Sequence, residues 1–307
     1  KKEVNRFVSL QSGEWFQFFI TQDGISSIEF KILDSLINNL NEYDPRSFSI
    51  YMSNELGRPI NDSFDQPILD NLTEISILVT GEEDGIFNVD DKIIFYGRGP
   101  SGFDLEDNNI TWKQNIYYNS NSCWLLIPDN SEYRGKRVSD AEQPASGVLL
   151  DYGISSHHIE SDLINLEASG TEWVGNPIPS GSSQPVFLDL PTPKSGANTS
   201  ISARFRGQSL TKTSLSNHQL SVRYGSDNGN QIGPLTSWTG NSSRHFSMIS
   251  ESLDLNDGVN IFYIKNVSTD GNSYPYLDYF EIHYSRELSF GQNFEFQSPI
   301  SNQDIRF

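Results

Sequence analysis

Short runs of alternating hydrophobic and polar residues fill the first half of the chain, and this period of two is typical of β-strands that bury one face. Turn residues such as Ser12-Gly13 and Asp23-Gly24 separate the runs. One segment, 32–40, has the apolar spacing of a short helix. The pattern predicts an antiparallel all-β domain. The strands predicted in this half are 7–8, 15–20, 48–51, 75–80, 92–96, 116–118 and 122–127.

The second half alternates more regularly, and its pattern predicts a β-sandwich. Residues 253–260 form a polar turn that leads into a strand, and 276–284 has the pattern of the closing strand of a jelly roll. In these last two strands the chain resembles carbohydrate-binding jelly-roll modules. The strands predicted here are 186–190, 201–205, 219–224, 244–249, 258–266 and 276–284.

The chain length of 307 residues exceeds the usual size of one domain and predicts two. We expect a β-rich amino-terminal domain over 1–145 and a jelly-roll-like β-sandwich over 146–290. Residues 291–307 are expected to be a linker or an edge strand toward a following domain. The predicted fold class is all-β, with two antiparallel β domains.

The segment 81–97 places two acidic turns between apolar runs, which is a candidate calcium loop. Calcium loops combine closely spaced oxygen donors with a glycine at the sharp bend, and Gly85 fits that position. The flanking runs are predicted strands, so an EF-hand is not expected. The alternative is a solvated acidic turn on a β-loop-β frame. The candidate ligands of Ca²⁺ are Glu82, Asp84, Asn88 and Asp91.

Charge excludes one class of partner. The chain has 40 acidic and 21 basic residues and a formal net charge of −19, which repels the phosphates of nucleic acids. We therefore expect no nucleic-acid partner. No apolar stretch approaches the roughly 18 residues of a membrane-spanning helix, so no membrane span is predicted.

Nothing in the sequence predicts an active site within the chain. Cys123 is the single cysteine, and the apolar run 122–127 around it predicts a buried, unreactive thiol. His157 and His158 are adjacent, so on a strand they would face opposite sides and would not bind one metal together. A glycine-rich phosphate loop and a nucleophile elbow are both absent from the sequence.

Two tryptophans are candidates for ligand binding. Trp173 lies between Gly170 and Gly175, and Trp238 lies in a polar stretch that predicts an exposed loop. An exposed indole ring can stack on a sugar ring or a peptide. The alternative for each tryptophan is core packing.

Several phrases occur along the chain in a characteristic order: Ser12-Gly13-Glu14-Trp15, Gly24-Ile25, Asp84-Gly85-Ile86-Phe87 with Asp91, Phe95-Tyr96-Gly97, His158-Ile159-Glu160, Ser169-Gly170-Thr171-Glu172-Trp173-Val174-Gly175, and Tyr276-Leu277-Asp278-Tyr279 with Arg286. With them the chain resembles the amino-terminal, non-catalytic region of gingipain-like cysteine peptidases. Within that family it is most similar to the sortase (signal peptidase) of the type IX secretion system of Bacteroidetes-type bacteria. The resemblance covers most of the chain.

The resemblance implies an accessory role for the chain. In that family a peptidase domain with a Cys nucleophile and a His partner follows the β-rich region, so the catalytic residues have no counterparts here. The implied partners are the carboxy-terminal peptidase domain of the same protein, secreted cargo and outer-membrane secretion components. The implied location is the extracellular face of the outer membrane or the secreted fraction. The segment would support, regulate or dock cargo for the catalytic domain.

Two other hypotheses remain open from the sequence. One is a stand-alone carbohydrate-binding or adhesion protein built on the β-sandwich. The other is a structural module stabilised by Ca²⁺ at the acidic segment.

Overall fold

Antiparallel β-strands form almost all of the regular structure in the computed structural model, so the predicted all-β fold class is confirmed. The chain divides into unit 1, Lys1–Glu142, and unit 2, Gln143–Phe307. Each unit has its own hydrophobic core. The structure describes residues 12–53, 56, 72–106, 109–130, 132–139, 148–168, 170, 172–211, 214–288 and 305–306.

The described residues of unit 1 form two sheets and a separate hairpin. The strand orders are β1-β9-β3-β4, β2-β6-β5 and β7-β8, and all of these pairs are antiparallel. The strands are β1 Gly13–Ile20, β2 Gly24–Glu29, β3 Ser49–Ser53, β4 Leu72–Ile75, β5 Ile77–Val79, β6 Lys92–Gly97, β7 Gly102–Glu106, β8 Asn109–Lys113 and β9 Asn121–Pro128. The helix α1 spans Phe30–Asp34, and 3-10 turns span Leu40–Glu42, Pro45–Ser47 and Glu82–Asp84.

Aromatic side chains fill the core of unit 1. Phe48 and Phe87 are fully buried, and their ring centroids lie 5.6 Å apart. Ile50, Ile93 and Leu125 join them from three different strands. Burying such a side chain stabilises a fold by about 1.5–3 kcal/mol, so this cluster is a main source of stability for unit 1.

Unit 2 is a β-sandwich of two four-stranded sheets, as the sequence predicts. The sheet orders are β11-β20-β15-β18 and β14-β19-β16-β17, and two short pairs, β12-β13 and β10-β21, accompany them. The strands are β10 Val148–Leu149, β11 Tyr152–Glu160, β12 Ile164–Asn165, β13 Trp173–Val174, β14 Ser183–Leu190, β15 Thr199–Arg206, β16 Asn217–Tyr224, β17 Gln231–Thr239, β18 Ser243–Ser250, β19 Gly258–Asn266, β20 Tyr276–Glu287 and β21 Ile305–Arg306. A 3-10 turn spans Leu166–Ala168.

The two sheets of unit 2 share one core. Phe262 of β19 and Phe280 of β20 are fully buried, and their ring centroids lie 5.1 Å apart across the sandwich. Ile201, Ala203 and Phe205 of β15 alternate into the same core. Because strand side chains alternate, the residues between them lie on the outer face of the sheet, which positions the polar cluster described below.

Two predicted elements differ from the structure. The helix predicted over 32–40 is shorter, because α1 ends at Asp34 and Asn39 adopts a left-handed conformation with φ 57°. Asparagine tolerates this conformation, which a continuous helix over 32–40 would not contain. The strand predicted over 116–118 is a turn, because the side chain of Asn115 accepts hydrogen bonds from the amides of Tyr117 and Tyr118.

Two predictions lie wholly or partly outside the described residues. The strand predicted over 7–8 lies outside them, and so does most of the linker or edge strand predicted over 291–307. Within that last range, Ile305–Arg306 form β21, which pairs in parallel with Val148–Leu149 of β10. Among the residues that the structure describes, none of the helices has the length and apolar character needed to cross a bilayer.

Candidate functional site

The acidic segment of unit 1 forms a tight, internally bonded turn. Glu82–Asp84 make one 3-10 turn, with Gly81 before it at φ 76° and Gly85 after it at φ 79°. Both angles lie in the left-handed region that glycine adopts without steric cost. A carboxylate oxygen of Asp84 accepts a hydrogen bond from the amide of Ile86 at 2.8 Å, so this side chain stabilises the bend.

The other predicted calcium ligands also have protein partners. Glu82 forms an ion pair with Arg137, with 2.8 Å between Oε2 and Nη2. Asp91 is 6% exposed, and its Oδ2 accepts a hydrogen bond from the amide of Asn88 at 2.8 Å. Gly81 lies directly against this carboxylate, since a Cβ at that position would lie 1.8 Å from Oδ1 of Asp91. The carboxylates of Glu82, Asp84 and Asp91 therefore already have protein partners.

No metal cluster appears in the described part of the chain: no three His, Cys, Asp or Glu residues there are arranged to hold an ion. Asp84 is exposed and Asp91 is buried, so the predicted ligands differ widely in their access to solvent. The calcium site at Glu82, Asp84, Asn88 and Asp91 stays a prediction.

The two candidate tryptophans lie in contrasting positions. Trp238 was expected on an exposed loop, but it lies within β17, is 9% exposed and stacks on Phe205 with 6.3 Å between ring centroids. The expectation of an exposed loop is therefore wrong, because the sandwich core covers this indole. Trp173 lies on the short β12-β13 pair, is 40% exposed and donates a hydrogen bond from Nε1 to the carbonyl of Gly170.

The thiol of Cys123 lies in the core of unit 1. The side chain is fully buried on β9, which confirms the prediction of a buried cysteine. Burial raises the pKa of the Cys123 thiol to about 12. The thiolate, which is the nucleophilic form, is therefore disfavoured at neutral pH.

An apolar cleft opens on the outer face of the β2-β6-β5 sheet of unit 1. It has a volume of about 560 Å³. Cross-strand neighbours Ile25 and Tyr96 line it, and so do the neighbours Leu78 and Ile94. Ile25 is 71% exposed and Leu78 is 49% exposed. Among the lining residues that the structure describes, Arg98 is the one that carries a charge. Exposed apolar side chains grouped in this way mark a candidate binding surface, because covering them removes apolar area from water.

A polar cluster covers the outer face of the β11-β20-β15-β18 sheet of unit 2. Each row of this cluster crosses the four strands in register, and the middle row is His158, Glu281, Ser202 and Ser247. The rows on either side are Glu160, Tyr279, Arg204 and His245, and Ser156, His283, Ser200 and Ile249. We call these residues the polar face of unit 2.

The polar face is held by a continuous chain of hydrogen bonds. Oγ of Ser156 lies 2.8 Å from Nδ1 of His283, and Nε2 of that ring lies 2.9 Å from Oε1 of Glu281. The other oxygen of Glu281 lies 3.1 Å from Nδ1 of His158. The last link joins Nε2 of His158 to Glu160 at 3.3 Å. These contacts connect β11 to β20 through side chains as well as through the backbone.

Glu281 of the polar face and Asp278, which contacts Arg204 of this face, have pKa values shifted in opposite directions. Burial opposes ionisation of Glu281, but the hydrogen bonds from His158 and His283 outweigh it and hold the pKa of Glu281 at about 2. Burial raises the pKa of Asp278 to about 6, although the Arg204 guanidinium opposes the shift. Two carboxyl groups of one strand therefore titrate far apart.

His157 and His158 stand out in the sequence only as an adjacent pair that would not bind one metal, and the partners of His158 are not evident there. Glu281 and His283 are spaced by two residues, as are Ser156, His158 and Glu160, which places each set on one face of a strand. That spacing was visible in the sequence. The pairing of β11 with β20, which brings the two sets together across more than 120 residues, was not.

These features define a class of protein: an all-β chain of two antiparallel units, the second a sandwich with a polar outer face. One solved structure with a similar fold is that of dimeric latent PorU from Porphyromonas gingivalis. The TM-score is 0.71 at 14% sequence identity, and the match covers 95% of this chain. The chain spans about a quarter of that protein, since the match covers 26% of the PorU chain.

Other solved structures match less closely. The family 35 carbohydrate-binding module from Clostridium thermocellum matches at a TM-score of 0.25 and 15% identity, over 42% of this chain and 90% of that one. The CBM22-1 xylan-binding domain from Paenibacillus barcinonensis Xyn10C matches at a TM-score of 0.26 and 14% identity, over 45% of this chain and 88% of that one. Scores this low do not establish a shared fold. No protein-family model and no curated protein sequence matches the chain.

Proposed function

We propose that this chain is the non-catalytic amino-terminal region of a cell-surface gingipain-like cysteine peptidase of the type IX secretion sortase type. The observation that carries the proposal is the PorU-like fold, which extends over 95% of the chain. PorU is a type IX sortase. The order of the sequence phrases from Ser12 to Arg286 points to the same family independently of the fold.

In this proposal the peptidase chemistry belongs to a domain outside the chain. Two observations on Cys123 support the assignment of the peptidase chemistry to another domain. Cys123 is buried and its thiol has a raised pKa, so it does not have the properties of a nucleophile. Its side chain projects from β9 into the core of unit 1, so a substrate has no access to the thiol.

The role of the chain would then be to support the peptidase domain, regulate it or dock its cargo. The apolar cleft of unit 1 is the surface best suited to docking, and its occupant would be an apolar polypeptide segment of the secreted cargo. Extended apolar segments bind where side chains such as Tyr96 and Leu78 stand exposed beside one another. Such a protein would work on the extracellular face of the outer membrane or in the secreted fraction.

The proposal is tested by deleting the coding region for these residues from the natural gene. Secreted cargo is then expected to keep its carboxy-terminal sorting domain, because the peptidase loses its accessory region. The purified chain of 307 residues is expected to show no peptidase activity on the same cargo. Normal cargo processing in the deletion strain, or activity in the purified chain, would overturn the proposal.

A further inference from the structure

Strand β11 carries two adjacent histidines with opposite surroundings. His157 faces the core, opposite Ile282 of β20, and its ring stacks on Tyr284 with 5.9 Å between ring centroids. His158 faces outward, opposite Glu281. We propose that this pair fastens the edge strand β11 to β20 within a window of pH, with His158 charged and His157 neutral, and that the pairing weakens on both sides of the window.

The contacts of His158 require a charged ring. Nδ1 lies 3.1 Å from Oε2 of Glu281, and Nε2 lies 3.3 Å from Oε2 of Glu160. A neutral imidazole has one N–H and one lone pair, so it would turn the lone pair toward one of these carboxylates. Only the imidazolium donates to both. Since the side chain is 4% exposed, water does little to screen the three charges.

Glu281 strengthens the connection because it binds two histidines. Its Oε1 lies 2.9 Å from Nε2 of His283, whose Nδ1 contacts Ser156 of β11 at 2.8 Å. Two cross-strand side-chain links therefore join β11 to β20, one through His158 and one through Ser156. Glu281 stays ionised throughout this pH window, because its pKa lies at about 2.

The neighbouring elements add mostly negative charge around His158. Asp162, just after β11, interacts electrostatically with both His158 and Glu160. On β20, the ring of Tyr279 lies 5.2 Å from the imidazole of His158. Burial lowers the pKa of His158, but hydrogen bonds and charge from Glu160 and Glu281 outweigh burial and raise it above the ordinary value.

Cations on the polar face are balanced by carboxylates. Arg204 of β15 lies 2.8 Å from Oδ2 of Asp278 and 4.0 Å from Glu172. Arg206 lies 3.4 Å from the same oxygen of Glu172. His245 of β18 lies 6.5 Å from the ring of Tyr279, beyond the first contacts of His158. Neither arginine therefore offsets the carboxylates that surround His158.

The surroundings of His157 favour the neutral ring instead. Burial lowers the pKa of His157, and the charge of Arg286 on β20 lowers it further. Asp189 of β14 opposes these effects but does not outweigh them. Tyr284, on which the ring stacks, is 1% exposed, so a proton on His157 would place a charge against the core.

The opposite pKa shifts of His158 and His157 set the upper and lower limits of the pH window. The pKa of His158 is raised, so its contribution to stability is complete below the ordinary value of 6.5 and is lost as the pH rises through the folded-state pKa. The pKa of His157 is lowered, so its contribution is complete above 6.5 and is lost as the pH falls. The pairing of β11 through these two groups is therefore strongest near pH 6.5.

Hydrogen exchange of the whole chain tests the proposal. The amides of Tyr152–Glu160 are expected to lose protection when the pH moves from about 6.5 to either about 5 or about 8.5, after correction for the intrinsic exchange rate. The His158→Gln variant should keep only the acid loss, and the His157→Phe variant only the alkaline loss. Strand β19 serves as the reference, because it lies in the opposite sheet and carries no histidine.

Nuclear magnetic resonance of the wild-type chain gives an answer even where a variant fails to fold. With all five histidines assigned, the ring signals of His158 should titrate above those of a model peptide, and the signals of His157 below. Equal titration of the two rings, or the reverse order, would overturn the proposal. Equal protection of β11 across the pH range would do the same.

Discussion

The indole of Trp238 shows how much a single side chain contributes to unit 2. It stacks on Phe205, and the ring of His218 lies 4.8 Å away. Gly207 is required beside it, since a Cβ there would lie 2.6 Å from Nε1 of the indole and 2.1 Å from the carbonyl oxygen of Gly240. The residue is therefore part of the core, and its loss would act through stability.

We expect the Trp238→Ala variant to lose about 3–5 kcal/mol of unfolding free energy, the usual cost of removing a large buried aromatic side chain. The Trp173→Ala variant should change it by less than about 1 kcal/mol, because that indole is 40% exposed. Urea unfolding followed by circular dichroism measures both. Equal losses in the two variants would contradict the assigned burial.

Trp173 is accordingly the better residue for testing the glycan-binding alternative. A glycan array on the wild-type chain and on Trp173→Ala compares binding without the loss of fold expected from Trp238→Ala. A signal that falls in the Trp173 variant would favour the alternative. A flat array with both proteins would remove it.

Single-residue substitutions also test the predicted calcium site. If Ca²⁺ binds at the acidic segment, a chelator should lower the melting temperature of the wild-type chain, and Asp84→Ala should abolish that difference. Asp90→Ala is the matched control, since Asp90 is an exposed neighbour and not a predicted ligand. Identical melting curves with and without chelator would reject the site.

Strands were predictable from the sequence where one face is buried and the other is exposed. Strands such as β15 and β19 alternate fully, so the sequence pattern located them within a residue or two. Strand β17 was missed because Gly233 and Pro234 within it are typical of turns. Its place in the sheet depends on pairing with β16, which no local window contains.

The same limit applies to the candidate sites. A strand over 276–284 has Glu281 and His283 on one face, but only the register between β11 and β20 brings His158 to Glu281. The apolar cleft was missed for a similar reason. Its outward residues Leu78 and Ile94 resemble core residues in sequence, because hydrophobicity alone does not say which face of the sheet is covered.

Substitutions in the β2-β6-β5 sheet of unit 1 test the apolar cleft. The double variant Leu78→Ser, Tyr96→Ser should retain the fold, because both side chains lie on the outer face of β5 and β6. It should lose most binding of an anionic hydrophobic dye, anilinonaphthalene sulfonate, to the native chain. Ile249→Ser is the control, since Ile249 is 75% exposed and lies in unit 2.

In the natural gene, the same double variant should impair cargo processing if the cleft docks cargo. Full processing together with lost dye binding would show that the cleft exists but does not receive cargo. Unchanged dye binding would contradict the cleft itself.

At the scale of the whole molecule, the two units have separate cores, and we propose that the segments 1–145 and 146–290 are independent domains. Each segment expressed alone should unfold cooperatively, with a heat capacity change that scales with its length. Differential scanning calorimetry of each segment and of the intact chain measures this. Segments that fail to unfold cooperatively, beside an intact chain that unfolds in a single transition, would contradict the division.

We propose that this chain is the accessory region of a surface cysteine peptidase. The most direct test of this proposal is the sequence of the natural coding region downstream of the codon for Phe307. The account predicts a further domain there, with a Cys nucleophile and a His partner in a peptidase context. A stop codon at that point would contradict the account.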